Sequence, residues 1–121
     1  MSATQSDATG LAFEQEVESS LRALGFSTEG TSATGDFGID VIAEKAGLRY
    51  AIQCKDPATP VGVKAVQEAA AGRRVYKSDY ACAVSRTGFT RAAHELAFEN
   101  SVLLVSFEQI DRIEQLPRLS E

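Results

Sequence analysis

Apolar and polar positions change their spacing along this chain, and the change separates helices from strands. Residues 10–24 carry apolar side chains at helical spacing, namely Phe13, Val17, Leu21 and Leu24. Gly25 follows directly, at the position where a helix C-terminus favours glycine. The pattern therefore predicts a first helix over residues 10–24, preceded by a flexible N-terminal tail over residues 1–9.

Shorter segments complete the order αβββαβαβα. The strand-like stretches are FSTEG, the two arms of a hairpin within residues 35–56, YACAVS and VLLVSF. The helical stretches are residues 61–76 after two prolines, TRAAHELAFEN, and EQIDRIEQL before Pro117. Antiparallel strands come first and right-handed crossovers follow, which predicts one α/β domain over residues 10–121 with a mixed sheet and helices on both faces.

The hairpin places three polar residues at one end. If Ala46-Gly47 is a two-residue turn, the register sets Asp40 opposite Gln53, with Cβ atoms about 5 Å apart on one face, and Lys55 follows on that face. The opposite face should carry Ile39, Val41, Tyr50, Ile52 and Cys54. A carboxylate and an amide oxygen are hard ligands suited to Mg²⁺, so this end of the hairpin is the candidate site.

The first helix offers a further carboxylate to that site. Glu14 lies roughly 65° from the centre of the apolar stripe, at its boundary, so it can reach around the core. Glu16 and Glu18 lie farther around the helix and should face solvent.

Charge is distributed unevenly. The 121 residues carry a net charge of −5, but residues 1–50 hold three basic and eight acidic side chains, whereas residues 51–100 hold seven and five. These seven could form one positive face if the fold gathers them, or a solvated mixed surface if it does not. They are Lys55, Lys64, Arg73, Arg74, Lys77, Arg86 and Arg91.

Other features exclude several classes of protein. Cys54 and Cys82 lack metal-ligand spacing and should be reduced core residues. The single histidine, His94, excludes a histidine-based metal finger, and Ser85 has no histidine partner that would make it a hydrolytic nucleophile. No apolar run approaches the roughly 18 residues that a membrane span needs, and no secretory signal is apparent, so the sequence predicts a cytoplasmic protein.

Five stretches together resemble the Mrr-like branch of the PD-(D/E)XK nuclease superfamily: FEQEV, LRALGF, TGDFGIDVIAE, YAIQCK and FTRAAHELA. The resemblance implies a restriction-endonuclease-like fold, a three-layer α/β/α sandwich. Four residues match the family's site pattern, in which a glutamine replaces the commoner acid of the superfamily. They are Glu14, Asp40, Gln53 and Lys55.

The resemblance implies a Mg²⁺-dependent DNA endonuclease of the restriction type, with Mn²⁺ as a substitute metal. Asp40 would bind the metal with the Gln53 side-chain oxygen and the Cys54 carbonyl, and Lys55 would contact the attacking water and the phosphate. Glu14 would act through the metal's water shell or through a second metal. Asp36 would support the loop or the metal. The expected DNA contacts are Lys64, Arg73, Arg74, Lys77, Arg86, Thr87 and Arg91.

Two other functions are alternatives to a restriction-type endonuclease. The chain could instead be a Holliday-junction-type, structure-selective resolvase, or a DNA-binding module whose nuclease activity needs a partner subunit. A homo-oligomer or a partner that supplies recognition is expected, because one active site cuts one strand. Arg86 stands where many relatives carry a small polar residue or asparagine, so this expected DNA contact departs from the family pattern.

Overall fold

The structure, a computed structural model, describes residues 2–31 and 38–119, with side chains described for residues 10–31 and 38–117. Its helices are α1 (Ser2–Ala23), α2 (Val63–Val75), α3 (Arg91–Asn100) and the short α4 (Leu116–Leu119), and a 3₁₀-helix spans Phe107–Arg112. Its strands are β1 (Ser27–Gly30), β2 (Val41–Lys45), β3 (Leu48–Lys55), β4 (Tyr80–Ser85) and β5 (Val102–Ser106).

The five strands form one mixed sheet in the order β1-β2-β3-β4-β5. β1, β2 and β3 pair antiparallel, whereas β3, β4 and β5 pair parallel through the crossovers that contain α2 and α3. The predicted mixed sheet is confirmed. β3 is its central strand, and its carboxyl end lies where the antiparallel and parallel halves meet.

Helices cover both faces of this sheet. Phe13, Val17 and Leu21 of α1 pack on one face in a cluster with Tyr50 and Ile52. Val66 and Ala69 of α2 pack on the other face with Ala93 and Ala97 of α3. The predicted α/β/α layering is therefore confirmed, and each layer buries the apolar stripe that its sequence carries.

The first helix ends as predicted and begins earlier than predicted. The amides of Gly25 and Phe26 donate to the carbonyls of Arg22 and Leu21 at 3.0 and 3.1 Å, and Gly25 has a φ of 98°, which together form a Schellman end. The predicted start at Gly10 was wrong, since α1 begins at Ser2. The polar first residues have no apolar stripe, so periodicity could not reveal this extension.

The prediction of a regular α-helix over EQIDRIEQL was also wrong. Residues 107–112 form a 3₁₀-helix in which Gln109 has non-helical angles, and Pro117 lies inside α4 rather than after a helix. Ile110 and Ile113 are both buried against the α1 side of the sheet. Their spacing of three matches the 3₁₀ repeat, so burial of both isoleucines favours the tighter turn over a regular α-helix.

The hairpin turn was predicted correctly. Ala46 and Gly47 both have positive φ, 55° and 80°, as a two-residue turn of type I′ requires. The register pairs Lys45 with Leu48 and continues to Val41 with Ile52. Beyond that pair, the regular alternation stops.

A β-bulge interrupts the hairpin at Asp40. The amide of Asp40 donates to the carbonyl of Ile52 at 2.9 Å, although Val41 is already the register partner of Ile52. Two residues therefore oppose one, which shifts the alternation of side chains by one position. Ile39, predicted to share a face with Val41, packs instead with Ile42 and Ala51 beneath α2. Asp40 is accordingly not the direct partner of Gln53, and that detail of the predicted site was wrong.

Two further expectations concern cysteine chemistry and membranes. Cys82 is buried and Cys54 partly buried, and both are free thiols, as predicted. Burial raises the pKa of each thiol above its ordinary value. Within the described ranges, none of the helices has the length and hydrophobicity of a membrane-spanning segment.

Candidate active site

The Asp40 carboxylate lies beside the end of strand β3. Its Oδ2 accepts a hydrogen bond from the Cys54 amide at 2.8 Å. Burial raises the pKa of Asp40 above its usual value, against the opposing effects of that amide, of Glu14 and of Lys55. The bulge thus directs a desolvated carboxylate to the same strand end that carries Gln53 and Lys55.

Gln53 is a polar side chain within the protein interior. It is 0% exposed, and its Nε2 donates to Oε1 of Glu68 at 2.7 Å. Its own Oε1 is buried and has no hydrogen-bond partner among the residues that the structure describes. A buried acceptor without a partner costs free energy, which marks this oxygen as a position where a ligand or water belongs.

Lys55 follows two residues later and reaches solvent. Its side chain is 41% exposed, and its Nζ lies 3.7 Å from Oε1 of Glu68. The charge of Lys55 also lowers the pKa of Asp40. The lysine, the amide and the carboxylate therefore all belong to the carboxyl end of β3, although the bulge, and not direct pairing with Gln53, brings Asp40 there.

Glu14 joins this group from α1. Burial, followed by the charge of Asp40 and a hydrogen bond to it, raises the pKa of Glu14 from 4.5 to about 7. Glu16 is exposed, as predicted, but it pairs with Arg86. The prediction for Glu18 was wrong, because that carboxylate is only 18% exposed and accepts from Arg22 and Thr28.

The raised pKa of Glu14 predicts a specific dependence of stability on pH. A carboxyl whose pKa is higher in the folded state stabilises the fold at low pH, and this contribution is lost as pH rises from about 4.5 through about 7. In EDTA, Glu14→Gln should therefore raise the melting temperature relative to wild type at pH 8 more than at pH 5. Thermal unfolding across this range measures the effect.

A matched control removes an acid elsewhere. Glu99 is exposed on α3, so Glu99→Gln should leave the pH dependence of the melting temperature unchanged. Parallel curves for Glu14→Gln and wild type would contradict the placement of Glu14 in the acidic group.

Sequence reasoning missed Glu68. This residue lies in α2, and its carboxylate contacts both Gln53 and Lys55. One signal was available in the sequence, because Glu68 is the only acid in a helix that also carries Lys64, Arg73 and Arg74. The contact itself depends on how α2 lies across the sheet, which the sequence pattern does not specify.

Two glycines permit the close approach of these elements. A Cβ on Gly72 of α2 would lie 2.2 Å from Cγ1 of Ile39. A Cβ on Gly38 would lie 2.3 Å from Nε2 of Gln53, and Gly38 has a φ of 66°. The final glycine of GDFG is therefore required both by its backbone conformation and by the packed amide of Gln53.

Gly38→Ala should lower stability and weaken metal binding together. The left-handed conformation alone costs an alanine about 1–2 kcal/mol, and the new methyl group must displace the Gln53 amide. Gly47→Ala is the matched control, since Gly47 also has a positive φ but nothing lies within 4 Å of its added Cβ. Chemical unfolding and Mn²⁺ titration measure both effects. Equal metal affinities in the two variants would show that Gly38 does not position Gln53.

The donor set at this strand end fits a hard divalent cation. The Asp40 carboxylate and the unpartnered Gln53 oxygen both belong to this end of β3, and Glu14 hydrogen-bonds to Asp40. Among the described residues, no three His, Cys, Asp or Glu side chains form a metal-binding group. The predicted metal site does not need such a group of three side chains, because it combines a carboxylate with amide and carbonyl oxygens. Mg²⁺ binds all of these donors.

The predicted DNA-contacting residues do not form one positive face. Lys64 lies in the first turn of α2, whereas Arg73 and Arg74 lie in its last turn, about 14 Å along the helix. Arg86 lies on the opposite layer of the fold, against rings of α1 and the 3₁₀-helix. The sequence left two arrangements open, one positive face or a mixed surface, and the separation of Arg86 from the arginines of α2 fits the mixed surface.

Arg86 has a structural environment of its own. It pairs with Glu16 and with Asp56, the latter at 3.4 Å, and its guanidinium lies 4.7 Å from the Phe13 ring and 4.8 Å from the Phe107 ring. These contacts tie α1 to the ends of β3 and β5. The departure from the family pattern at this position thus coincides with a packing role.

The remaining predicted positions lie in loops and helix ends. The Thr87 hydroxyl donates to the Thr59 carbonyl at 3.0 Å, and Thr90 caps α3 by accepting from the Ala93 amide at 3.1 Å. His94 and Arg91 are exposed on α3, as expected for His94. Asp36 lies outside the described residues.

Comparison with solved structures supports the architecture. The chain is similar to AF1548, a protein of unknown function, with 25% identity, a TM-score of 0.66 and coverage of 86% of this chain and 64% of that one. It is also similar to Hjc, a Holliday junction resolvase from the archaeal hyperthermophile Archaeoglobus fulgidus, with 20% identity, a TM-score of 0.50 and coverage of 69% and 67%.

A third similar structure is much longer than this chain. It is the MspJI restriction endonuclease in complex with a 27-mer oligonucleotide, at 18% identity and a TM-score of 0.57. The match covers 94% of this chain but 29% of MspJI. These likenesses show the restriction-endonuclease-like fold.

Sequence comparison establishes the family. No curated protein sequence gives a significant match. The model of the Mrr catalytic family, described as a restriction endonuclease, matches residues 6–113, which include most of α1, the whole sheet and the strand end with Asp40, Gln53 and Lys55. This chain therefore belongs to the Mrr-type restriction endonuclease family.

Proposed function

We propose that this protein is a Mg²⁺-dependent DNA endonuclease that hydrolyses phosphodiester bonds. One observation carries the proposal. The buried Gln53 oxygen has no partner among the described residues, and it lies at the strand end that also holds the Asp40 carboxylate and the Lys55 ammonium. A carboxylate, a free amide oxygen and a cation in one place are the groups that metal-assisted phosphodiester hydrolysis needs.

Each residue has a distinct part in this scheme. When bound, Mg²⁺ polarises the phosphate and lowers the pKa of a coordinated water. Asp40 and Gln53 would hold the metal, with the Cys54 carbonyl as a third donor, while the Cys54 amide fixes Asp40 through its hydrogen bond. Lys55, exposed beside them, would orient the attacking water and neutralise charge that develops on the phosphate. Glu14, which hydrogen-bonds to Asp40, would support the site from α1 by holding Asp40 in place.

A direct experiment compares DNA substrates and metals. The purified protein is incubated with supercoiled, linear, methylated and four-way junction DNA, in Mg²⁺, in Mn²⁺ and in EDTA. The proposal expects cleavage of duplex DNA in either metal and none in EDTA. Binding without cleavage in every metal condition would instead favour a module whose nuclease activity needs another subunit.

A junction-resolving activity is the second candidate. The observation in its favour is the structural similarity to Hjc, which is a Holliday junction resolvase. Preferential cutting of the four-way junction over linear duplex of the same sequence would support it. Equal cutting of both would favour the restriction-type activity.

The assembly is the remaining part of the proposal. The chain spans 64% of AF1548 and 29% of MspJI, and one active site cuts one strand. We expect a homodimer or a complex with a partner that supplies recognition. Light scattering on the free protein and on the protein bound to cleavable DNA measures the mass. A monomer in both states, combined with double-strand cleavage, would contradict the homodimer.

A further inference from the structure

The Glu68 carboxylate touches two residues of the proposed site through one oxygen. Oε1 accepts the Gln53 Nε2 hydrogen bond at 2.7 Å and lies 3.7 Å from Lys55 Nζ. The Glu68 side chain is 27% exposed, so solvent reaches part of it, whereas its partner Gln53 is buried. The same negative charge raises the pKa of Asp40.

The hydrogen bond decides which end of the Gln53 amide faces which way. A carboxylate only accepts hydrogen bonds, so only the NH₂ end of Gln53 can face Glu68, and the oxygen must point elsewhere. Gly38 lies close to the same NH₂ group, and a side chain at position 38 would collide with it. Without Glu68, the amide could turn by about 180° and present N–H donors to a cation, which would repel it.

The contact with Lys55 has a different consequence. An ion pair at 3.7 Å with a 41% exposed lysine adds little stability, because solvent screens it. It does restrict a long and flexible side chain to the side of β3 that carries Gln53. The lysine is thereby placed before a phosphate arrives.

We propose that Glu68 is a positioning residue of this site: it orients the Gln53 amide so that its oxygen is available to a divalent cation, and it holds Lys55 beside that oxygen. This inference rests on the proposed nuclease function. It also explains why an amide suits position 53 in this chain, since a second carboxylate there would face Glu68 at hydrogen-bonding distance with no proton between them.

A reciprocal exchange tests that explanation. From the superfamily pattern alone, Gln53→Glu should keep at least partial metal-dependent activity. The contact with Glu68 adds a cost in the metal-free protein, because two carboxylates replace a donor–acceptor pair. Glu68→Gln in the same chain restores the pair with its direction reversed, since the new amide at position 68 can donate to the carboxylate at position 53.

The experiment uses the full chain without DNA and has two readouts. Mn²⁺ affinity is measured by electron paramagnetic resonance, and the Gln53 side-chain NH₂ is followed by ¹⁵N NMR in EDTA. Glu68→Ala should weaken Mn²⁺ binding about 10- to 100-fold, the usual cost of losing a partner that orients a ligand. It should also remove the protection of the Gln53 NH₂ protons from exchange. Glu68→Gln should have a smaller effect, because its oxygen still accepts a hydrogen bond.

The matched control is the neighbouring residue on α2. Gln67 is exposed, so Gln67→Ala should change neither the Mn²⁺ affinity nor the Gln53 signal.

In the exchange experiment, Gln53→Glu should lower the melting temperature in EDTA at pH 8. The double variant Gln53→Glu with Glu68→Gln should recover most of that loss, which makes the two changes strongly non-additive.

The outcomes separate this inference from the proposed function. If Glu68→Ala keeps the wild-type Mn²⁺ affinity and Gln53 signal in a protein that cuts DNA, the positioning role is wrong and the nuclease function stands. If both readouts change as expected while wild type cuts no DNA, the nuclease function fails and the positioning role stands. Additive melting temperatures in the exchange, or a wild-type chain that binds no Mn²⁺, would also overturn the positioning role.

Discussion

Replacing Lys55 by alanine should abolish DNA cleavage while the fold remains intact. Lys55 is 41% exposed and packs no core, so its removal should leave the melting temperature nearly unchanged. Loss of one charge-stabilising donor lowers kcat by about 100- to 1000-fold in other hydrolases, and we expect at least that loss here. DNA binding should weaken only modestly, because one phosphate contact is lost.

The control for this variant removes a basic side chain elsewhere. Arg112 is exposed in the 3₁₀-helix and is not among the predicted DNA contacts, so Arg112→Ala makes the same change in net charge. It should keep wild-type cleavage. Single-turnover cleavage assays, in preparations freed of contaminating nucleases, compare the two variants. If Lys55→Ala cuts DNA as well as wild type, the nuclease assignment of this strand fails.

Removing the Asp40 carboxylate should abolish both metal binding and cleavage. Partners that merely orient a ligand contribute about 10- to 100-fold to metal affinity, so loss of the ligand itself should exceed that range. Asp40→Ala also removes a negative charge that opposes the DNA backbone. Binding of DNA without metal should therefore persist or tighten, in contrast to Lys55→Ala.

Asp40→Asn separates the charge from the hydrogen bond. An asparagine oxygen can still accept from the Cys54 amide, so this variant should preserve the bulge and the melting temperature better than Asp40→Ala. It should lose Mn²⁺ affinity to a similar extent. Isothermal titration with Mn²⁺, thermal unfolding and DNA binding in EDTA measure the three properties. Wild-type Mn²⁺ affinity in Asp40→Asn would show that Asp40 is not a ligand.

The regular elements of the fold could be predicted because their signals are local. The apolar stripe of α1 and the positive φ of Gly25 follow from residues within a few positions of one another. The hairpin register followed from one turn, Ala46-Gly47, since a two-residue turn fixes every later pair. The register did not extend to Asp40, because the bulge breaks the pairing there.

The bulge at Asp40 could not be predicted in this way. It depends on the hydrogen bond from the Asp40 amide to the Ile52 carbonyl. It also depends on the packing of Ile39 against Gly72 of α2, more than thirty positions away in the sequence. The sequence pattern gives each strand an alternation, but it does not show where packing against a helix breaks that alternation. The predicted face of Ile39 was wrong for this reason.

The sequence by itself determined the order of elements, the mixed sheet and the four residues that match the family pattern, because each depends on local spacing or on the chain's likeness to relatives. Only the tertiary structure decided which charges act together. It brought Glu68 to Gln53 and Lys55, and it separated Arg86 from the arginines at the end of α2. Contacts between side chains on different elements depend on how those elements pack, and packing is a property of the whole core rather than of any local pattern.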